Sequence, residues 1–258
     1  MEKLLHGQVI QIEQDERSRN YRWERNAGFL DPNIQIVSID AYNEFVKNGN
    51  QSLPKVVKLG TVLVKHPFEE DSYIYLEELE QIVYRSKALH MADIAQLLGC
   101  TRFSYDVKID SIEEASMGIN GEISYVPYIS GDTKYKNDQV EKYKAMLKIE
   151  DKNEVNDEYR NLTLEDKILS YKKACELAHK YKLDKDEDIK SLLDSRNPYI
   201  PYIKKSRIVC FELSREVNSL YSCAFSLEVL KGVFSMQGNF ENLVSKKKTI
   251  FVTFSFNF

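Results

Sequence analysis

The chain has 258 residues, of which 43% are hydrophobic and 29% charged, with a formal net charge of -4. This is enough apolar material for a sizeable core, which excludes disorder throughout, and the near-balanced charge gives no global reason to expect nucleic acid as a partner. The length admits one large domain or two unequal lobes.

No run of eighteen or more apolar residues occurs, which excludes a transmembrane helix but leaves amphipathic β-hairpins that insert after assembly. The opening residues, Met1 to Gly7, lack the basic start, apolar middle and small-residue cleavage site of a secretory signal, so a cytoplasmic location is expected. Cys100, Cys175, Cys210 and Cys223 stand far apart in sequence. None has the spacing of a zinc knuckle or a Cys-x-x-Cys motif, and four reduced, mostly buried thiols are expected.

Residues 8–13 and 34–39 are rich in β-branched side chains and predict two short strands, with Asp31-Pro32-Asn33 as the turn into the second. Asp40 predicts the cap of a short helix that Asn48-Gly49-Asn50 ends. A buried strand follows at Leu59–Lys65, closed by His66-Pro67. From Leu76 to Leu98 an apolar stripe of Leu79, Ile82, Val83, Leu89, Ile94, Leu97 and Leu98 predicts a long helix, with an acidic first turn and Gly99 as its cap. Phe103, Tyr105, Val107 and Ile109 then alternate with Arg102, Ser104, Asp106 and Lys108, the pattern of a strand with one wet face.

A further strand is expected near Glu122–Ile129, with Pro127 at an edge. Between Asn137 and Arg196 the chain becomes charged and glycine-free, and helices near 138–149, 164–182 and 186–195 are predicted. Thr163 and Asp166 have capping-box spacing. Strands are predicted again at Arg207–Leu213, Ala224–Val229 and Val233–Phe240. The last stretch is the clearest, because Ile250, Val252, Phe254, Phe256 and Phe258 alternate with Thr249, Thr253, Ser255 and Asn257. The expected fold class is α+β, an antiparallel or mixed sheet flanked by a long helix. It divides as an N-terminal α+β part (1–136), a charged helical insertion or lobe (137–197) and a β-rich part (198–258) that packs with the first as one domain.

Motifs of catalysis are missing. There is no Gly-rich phosphate loop, no Gly-x-Ser-x-Gly elbow and no His-Glu-x-x-His. His90 and Asp93 lie one helical turn apart, as do Cys175 and His179, but helical surfaces produce such neighbours constantly. Asp184, Asp186 and Asp188 have the spacing that opens a calcium loop, yet Ile189 and Ser195 stand where glycine and a bidentate carboxylate are needed. Asp106-Val107-Lys108 is the acid-x-Lys element that a metal-dependent nuclease or hydrolase would use, and also what an exposed strand face produces.

Two features suit contacts. Arg17, Arg19, Arg22 and Arg25 interleave with Tyr21 and the lone Trp23, and guanidiniums beside aromatic rings anchor interfaces. Lys246, Lys247 and Lys248 precede the terminal strand and would suit a membrane or an assembly contact. The expectation is a non-enzymatic cytosolic interaction or assembly protein, without cofactor or metal, whose partner is another protein or a second copy. Two alternatives stand beside it, a pore-forming effector that meets membrane only after assembly and the nuclease or hydrolase. Four thiols are expected to titrate in the denatured protein without reductant; two or none would overturn the reading of the cysteines.

Overall fold

The structure is a computed structural model, and it describes residues 5–16, 18, 32–49, 52–117, 123–127, 133–147, 159, 161–200, 205–227 and 244–258. The fold is α+β, with sheets that are antiparallel or mixed. Two compact units are made of interleaved segments. The first contains Met1–Val83, Ser111–Ile129 and Arg215–Lys248; the second contains Tyr84–Asp110, Ser130–Ser214 and Thr249–Phe258.

In the first unit β1 (Val9–Glu13) is an inner strand of the order β2-β1-β3-β4, formed with β2 (Ile34–Ser38), β3 (Val62–Lys65) and β4 (Tyr73–Tyr75). It pairs parallel with β2 and antiparallel with β3. All five of its residues are buried, as a strand covered on both faces requires. Ile10 and Ile12 join Leu5, Val37, Tyr42, Leu63 and Tyr73 in one core cluster, while Gln11 and Glu13 point to the other face. There Gln11 Nε2 donates to Glu13 Oε1 at 3.4 Å, so the polar pair is buried together.

The helix α1 (Ile39–Asn48) starts at Ser38, whose hydroxyl accepts from the Ala41 amide, rather than at the predicted Asp40. Asp40 lies in the first turn instead, where its charge meets the positive end of the helix dipole. Gly49 ends this helix at φ 70°, a left-handed conformation that glycine adopts without steric cost.

The predicted long helix is a 3-10 turn, Leu76–Glu78, followed by α2 (Leu79–Leu97). Gly99 caps it at φ 86°, with Gly99 N donating to the Gln96 carbonyl and Cys100 N to that of Ala95, the paired bonds of a Schellman motif. A Cβ at Gly99 would also lie 2.2 Å from the Tyr159 ring. No other residue fits.

β5 (Arg102–Met117) runs well past the predicted Ile109. Its burial changes phase on the way: Phe103, Val107 and Ile109 are buried, then Ile112. β6 (Ile123–Pro127) pairs with it antiparallel, Glu113 opposite Pro127 through Met117 opposite Ile123. The charged region folds as α3 (Thr133–Leu147), α4 (Leu164–Lys180), a 3-10 turn at Leu183–Lys185, and α5 (Glu187–Ser195). Thr163 caps α4 by accepting from the Asp166 amide, and its hydroxyl donates to the Asp166 carboxylate at 2.6 Å. This segment belongs to the second unit, together with Tyr84–Asp110 and Thr249–Phe258.

The strand predicted at Ala224–Val229 is overturned where it is described. Ala224 and Phe225 end a helix, α6 (Arg215–Phe225), because Val217, Leu220, Tyr221 and Ala224 fall at helical spacing and all four are buried. Residues 228–229 and the strand predicted at Val233–Phe240 lie outside the described residues.

β7 (Ser206–Glu212) and β8 (Lys246–Asn257) pair antiparallel, with Val209 opposite Phe254 and Phe211 opposite Val252. Ile250, Val252, Phe254 and Phe256 are all fully buried. Phe254 stacks on Phe211 at 5.9 Å and on Phe256 at 5.5 Å. Phe254→Ala is expected to cost about 3–5 kcal/mol in urea unfolding, whereas Thr253→Ala on the other face should cost under about 1 kcal/mol. Equal losses would mean that both faces are covered.

Candidate interaction surface

β7 is the last strand of the order β6-β5-β8-β7, so among the described residues no strand pairs with its far side. Its sequence, Ser-Arg-Ile-Val-Cys-Phe-Glu, is apolar at both parities through its middle, and the fold divides the two. Val209 and Phe211 are buried, whereas Ile208 is 69% exposed and Cys210 is exposed as well. Across the pair the outer residues meet short polar partners, Ile208 opposite Ser255 and Cys210 opposite Thr253. The isoleucine thus stands as an apolar projection among small hydroxyls.

The strand is held firmly from within its unit. α5 packs against β7. Asp186 caps that helix through the Asp188 amide, and Ile189, Leu192 and Leu193 are its buried residues. Arg207 donates to the Ser191 hydroxyl. At the other end the buried Lys87 ammonium donates to the Glu212 carbonyl at 2.7 Å and lies 5.4 Å from the centre of the Phe211 ring. Leu213 N bonds the Ile250 carbonyl and Phe258 N that of Lys205. An edge fixed in this way presents its outer groups without first having to be ordered, which lowers the entropic cost of binding.

The turn from α5 towards β7 adds two more exposed apolar residues, Tyr199 and Ile200. Asn197 shapes it, its side-chain oxygen accepting from Tyr199 N and its carbonyl from Ile200 N. Arg196, just before, is buried and donates twice to the Leu98 carbonyl through Nε and Nη2, at 3.1 and 2.9 Å. Its guanidinium lies 4.1 Å from the centre of the Phe258 ring. Burial lowers its pKa without discharging it.

Comparison with protein-family models, curated proteins and solved structures finds no match to this chain. Its own residues must therefore carry the functional reading.

Arg17, Arg19, Tyr21, Arg22, Trp23 and Arg25 lie outside the described residues. Lys246, Lys247 and Lys248 open β8 and are half-buried. Lys248 is held rather than projecting, with its ammonium 2.9 Å from Glu80 and its backbone bonded both ways to the Asn218 amide.

His90 turns its Nε2 to the Ser86 hydroxyl and stacks on Tyr181, 3.3 Å between ring centres. His179 pairs with Asp184 rather than with Cys175. Asp106 is in an ion pair with Lys144, and Lys108 with Asp110, all in exposed or half-buried positions. Among the described residues no three His, Cys, Asp or Glu side chains gather to hold a metal.

Sequence reasoning placed β7 but not the exposure of Ile208, because an apolar run at both parities does not say which face is wet. It also missed the buried Lys87 and Arg196, for which composition carries no signal.

The cysteines are less uniformly buried than expected: Cys100 and Cys223 are buried, Cys175 is half-buried and Cys210 exposed. Burial also raises the Cys175 pKa, which lowers its thiolate fraction. One thiol, Cys210, should therefore alkylate quickly in the folded protein, and Cys210→Ser should remove that fast phase. A fast phase that survives the substitution would place a second cysteine in water.

Proposed function

We propose that the chain is a non-enzymatic assembly protein of the cytosol, which joins a protein partner, foremost a second copy of itself, along the open edge of β7. The observation that carries this reading is a rigid edge strand with Ile208 and Cys210 exposed at its centre. Edge strands offer unpaired backbone groups to another chain, and native proteins ordinarily blunt them with charge, proline or a bulge. In β7 the charged residues, Arg207 and Glu212, flank the middle rather than occupy it.

The pore-forming alternative draws on amphipathic strands, above all the terminal one, and on the Lys246, Lys247 and Lys248 cluster beside it. It has less support, because the continuous apolar face that a membrane strand of roughly 9–11 residues needs is already buried in β8, at Ile250, Val252, Phe254 and Phe256, and changes parity in β5 between Ile109 and Ile112. No described helix is long and apolar enough to cross a membrane. The hydrolase alternative leans on Asp106, which Lys144 occupies.

Sedimentation across a wide concentration range tests the proposal. The wild type should gain mass with concentration, with Cys210 alkylation slowing in parallel. Ile208→Lys should stay monomeric and fast-reacting at an unchanged melting temperature, because the residue it replaces is solvated. A wild type that remains monomeric, with Cys210 equally reactive at every concentration, would overturn assembly through β7.

A further inference from the structure

His66 ends β3 and is only 4% exposed. The chain then turns through Pro67–Asp71 and returns as β4, and the turn is closed by His66 N donating to the Ser72 carbonyl at 2.8 Å. Asp71 takes φ 58° to make the reversal, and Ser52 brackets it, donating to the Asp71 carbonyl and accepting from Tyr73 N. Inside the turn the imidazole Nδ1 accepts from two backbone amides, Phe68 N at 3.2 Å and Glu69 N at 3.1 Å. The ring also meets Phe68 edge-on, 5.9 Å between centres, and Phe68 is buried.

An Nδ1 that accepts must carry no proton, so the ring is neutral with its proton on Nε2. Protonation would turn the shared acceptor into a donor aimed at two N–H groups. Both amides would lose their acceptor, and at Phe68, where the bond is buried, that is the expensive way to lose a hydrogen bond.

We propose that His66 is an acid-released clasp: neutral, it holds the 66–72 turn shut over Phe68, and protonated, it lets the turn open. Of the charged groups on β3, the turn, β4 and the 3-10 turn, Glu69 is the one whose field reaches the imidazole, and it favours the charged form. Asp71 acts on Tyr73, and Glu77 and Glu78 act on Tyr75. Burial opposes Glu69 and outweighs it, so the closed-state pKa lies below the ordinary imidazole value.

The sign follows from linkage. The opened turn binds its proton near the unperturbed value of about 6.5, whereas the closed turn binds it only at lower pH. Closure is therefore fully favoured above that value. Below it, closure weakens up to tenfold per pH unit until the closed-state pKa is reached.

Amide hydrogen exchange followed by NMR, on the full chain, reads this directly. The protection factors of Phe68 and Glu69 should fall as pH drops from neutral through 6.5, by up to about tenfold per unit, while those of Leu63 and Val64 in the adjoining strand hold steady. His66→Asn supplies a carbonyl oxygen for the same amides and does not titrate, so it should keep protection and remove the pH dependence. Protection at Phe68 and Glu69 that tracks Leu63 and Val64 at every pH would overturn the clasp. A ring nitrogen spectrum with Nδ1 protonated at neutral pH would do the same without any variant.

Discussion

Each step along β8 turns a side chain to the opposite face of the sheet, so a strand in which Ile250, Val252, Phe254 and Phe256 are all fully buried has one usable register. A slip of one residue would put those four into water and bring Thr249, Phe251, Thr253 and Ser255 inside. Burying one such side chain is worth roughly 1.5–3 kcal/mol, so exposing four of them is comparable to the whole stability of a domain, on the order of 5–15 kcal/mol. The register in turn sets β7, since Val209 must face Phe254 and Phe211 must face Val252. Once those two point inward, Ile208 and Cys210 have no choice but to point out. The exposure of these two side chains is thus a consequence of the core, and the place of β7 at the end of the strand order sets them beside an open edge.

Buried polar groups then limit what the core tolerates. Lys87 and Arg196 are both drawn inside the second unit, and both deliver their donors to backbone carbonyls, Glu212 and Leu98. These are places where the chain leaves regular structure, at the end of β7 and at the cap of α2. A charged donor suits such carbonyls because they sit beyond the ladder that would otherwise satisfy them. Tyr221 is the contrary case: its hydroxyl is buried and has no hydrogen-bond partner among the described residues, and burial pushes its pKa well up. The ring contributes packing at the expense of an unsatisfied polar atom.

Much of this fold was legible in the sequence because periodicity records burial. The alternation of β8, the Gly99 cap of α2 and the Thr163 cap of α4 each follow from which groups need water, whereas the α2 stripe holds only in part, because Leu89 is exposed and Lys87 is buried in its place. The end of α6 resembles a strand when taken alone, but Ala224 and Phe225 belong to a helical stripe that begins at Val217. The candidate surface was less legible. Ile208 differs from Val209 in exposure and not in chemistry, and only the pairing with β8 separates them. His66 with Pro67 marks the close of a strand in the sequence, and nothing local announces that its ring accepts two amides.

An apolar group left in water at the centre of a fixed edge is unusual for a reason that bears on function. A flexible edge with Ile208 exposed would cost little to the free chain and offer little to a partner, since ordering it would consume what burial returns. Here α5, Lys87 and the β8 register have already ordered it. A strand added alongside β7 would then find its backbone donors and acceptors in place and would cover Ile208 at small conformational cost. The same contacts would restrict such a partner: it would have to be extended, carry an apolar or small residue opposite Ile208 and tolerate Arg207 and Glu212 at the two ends. Discrimination at such an edge rests on side-chain pairs across strands, each worth roughly 0.2–1 kcal/mol, while the backbone ladder that supplies affinity is common to all sequences. Selectivity of a strand added to β7 would therefore depend on the few positions where a wrong residue is buried against a charge, which lie at its ends, not in its middle.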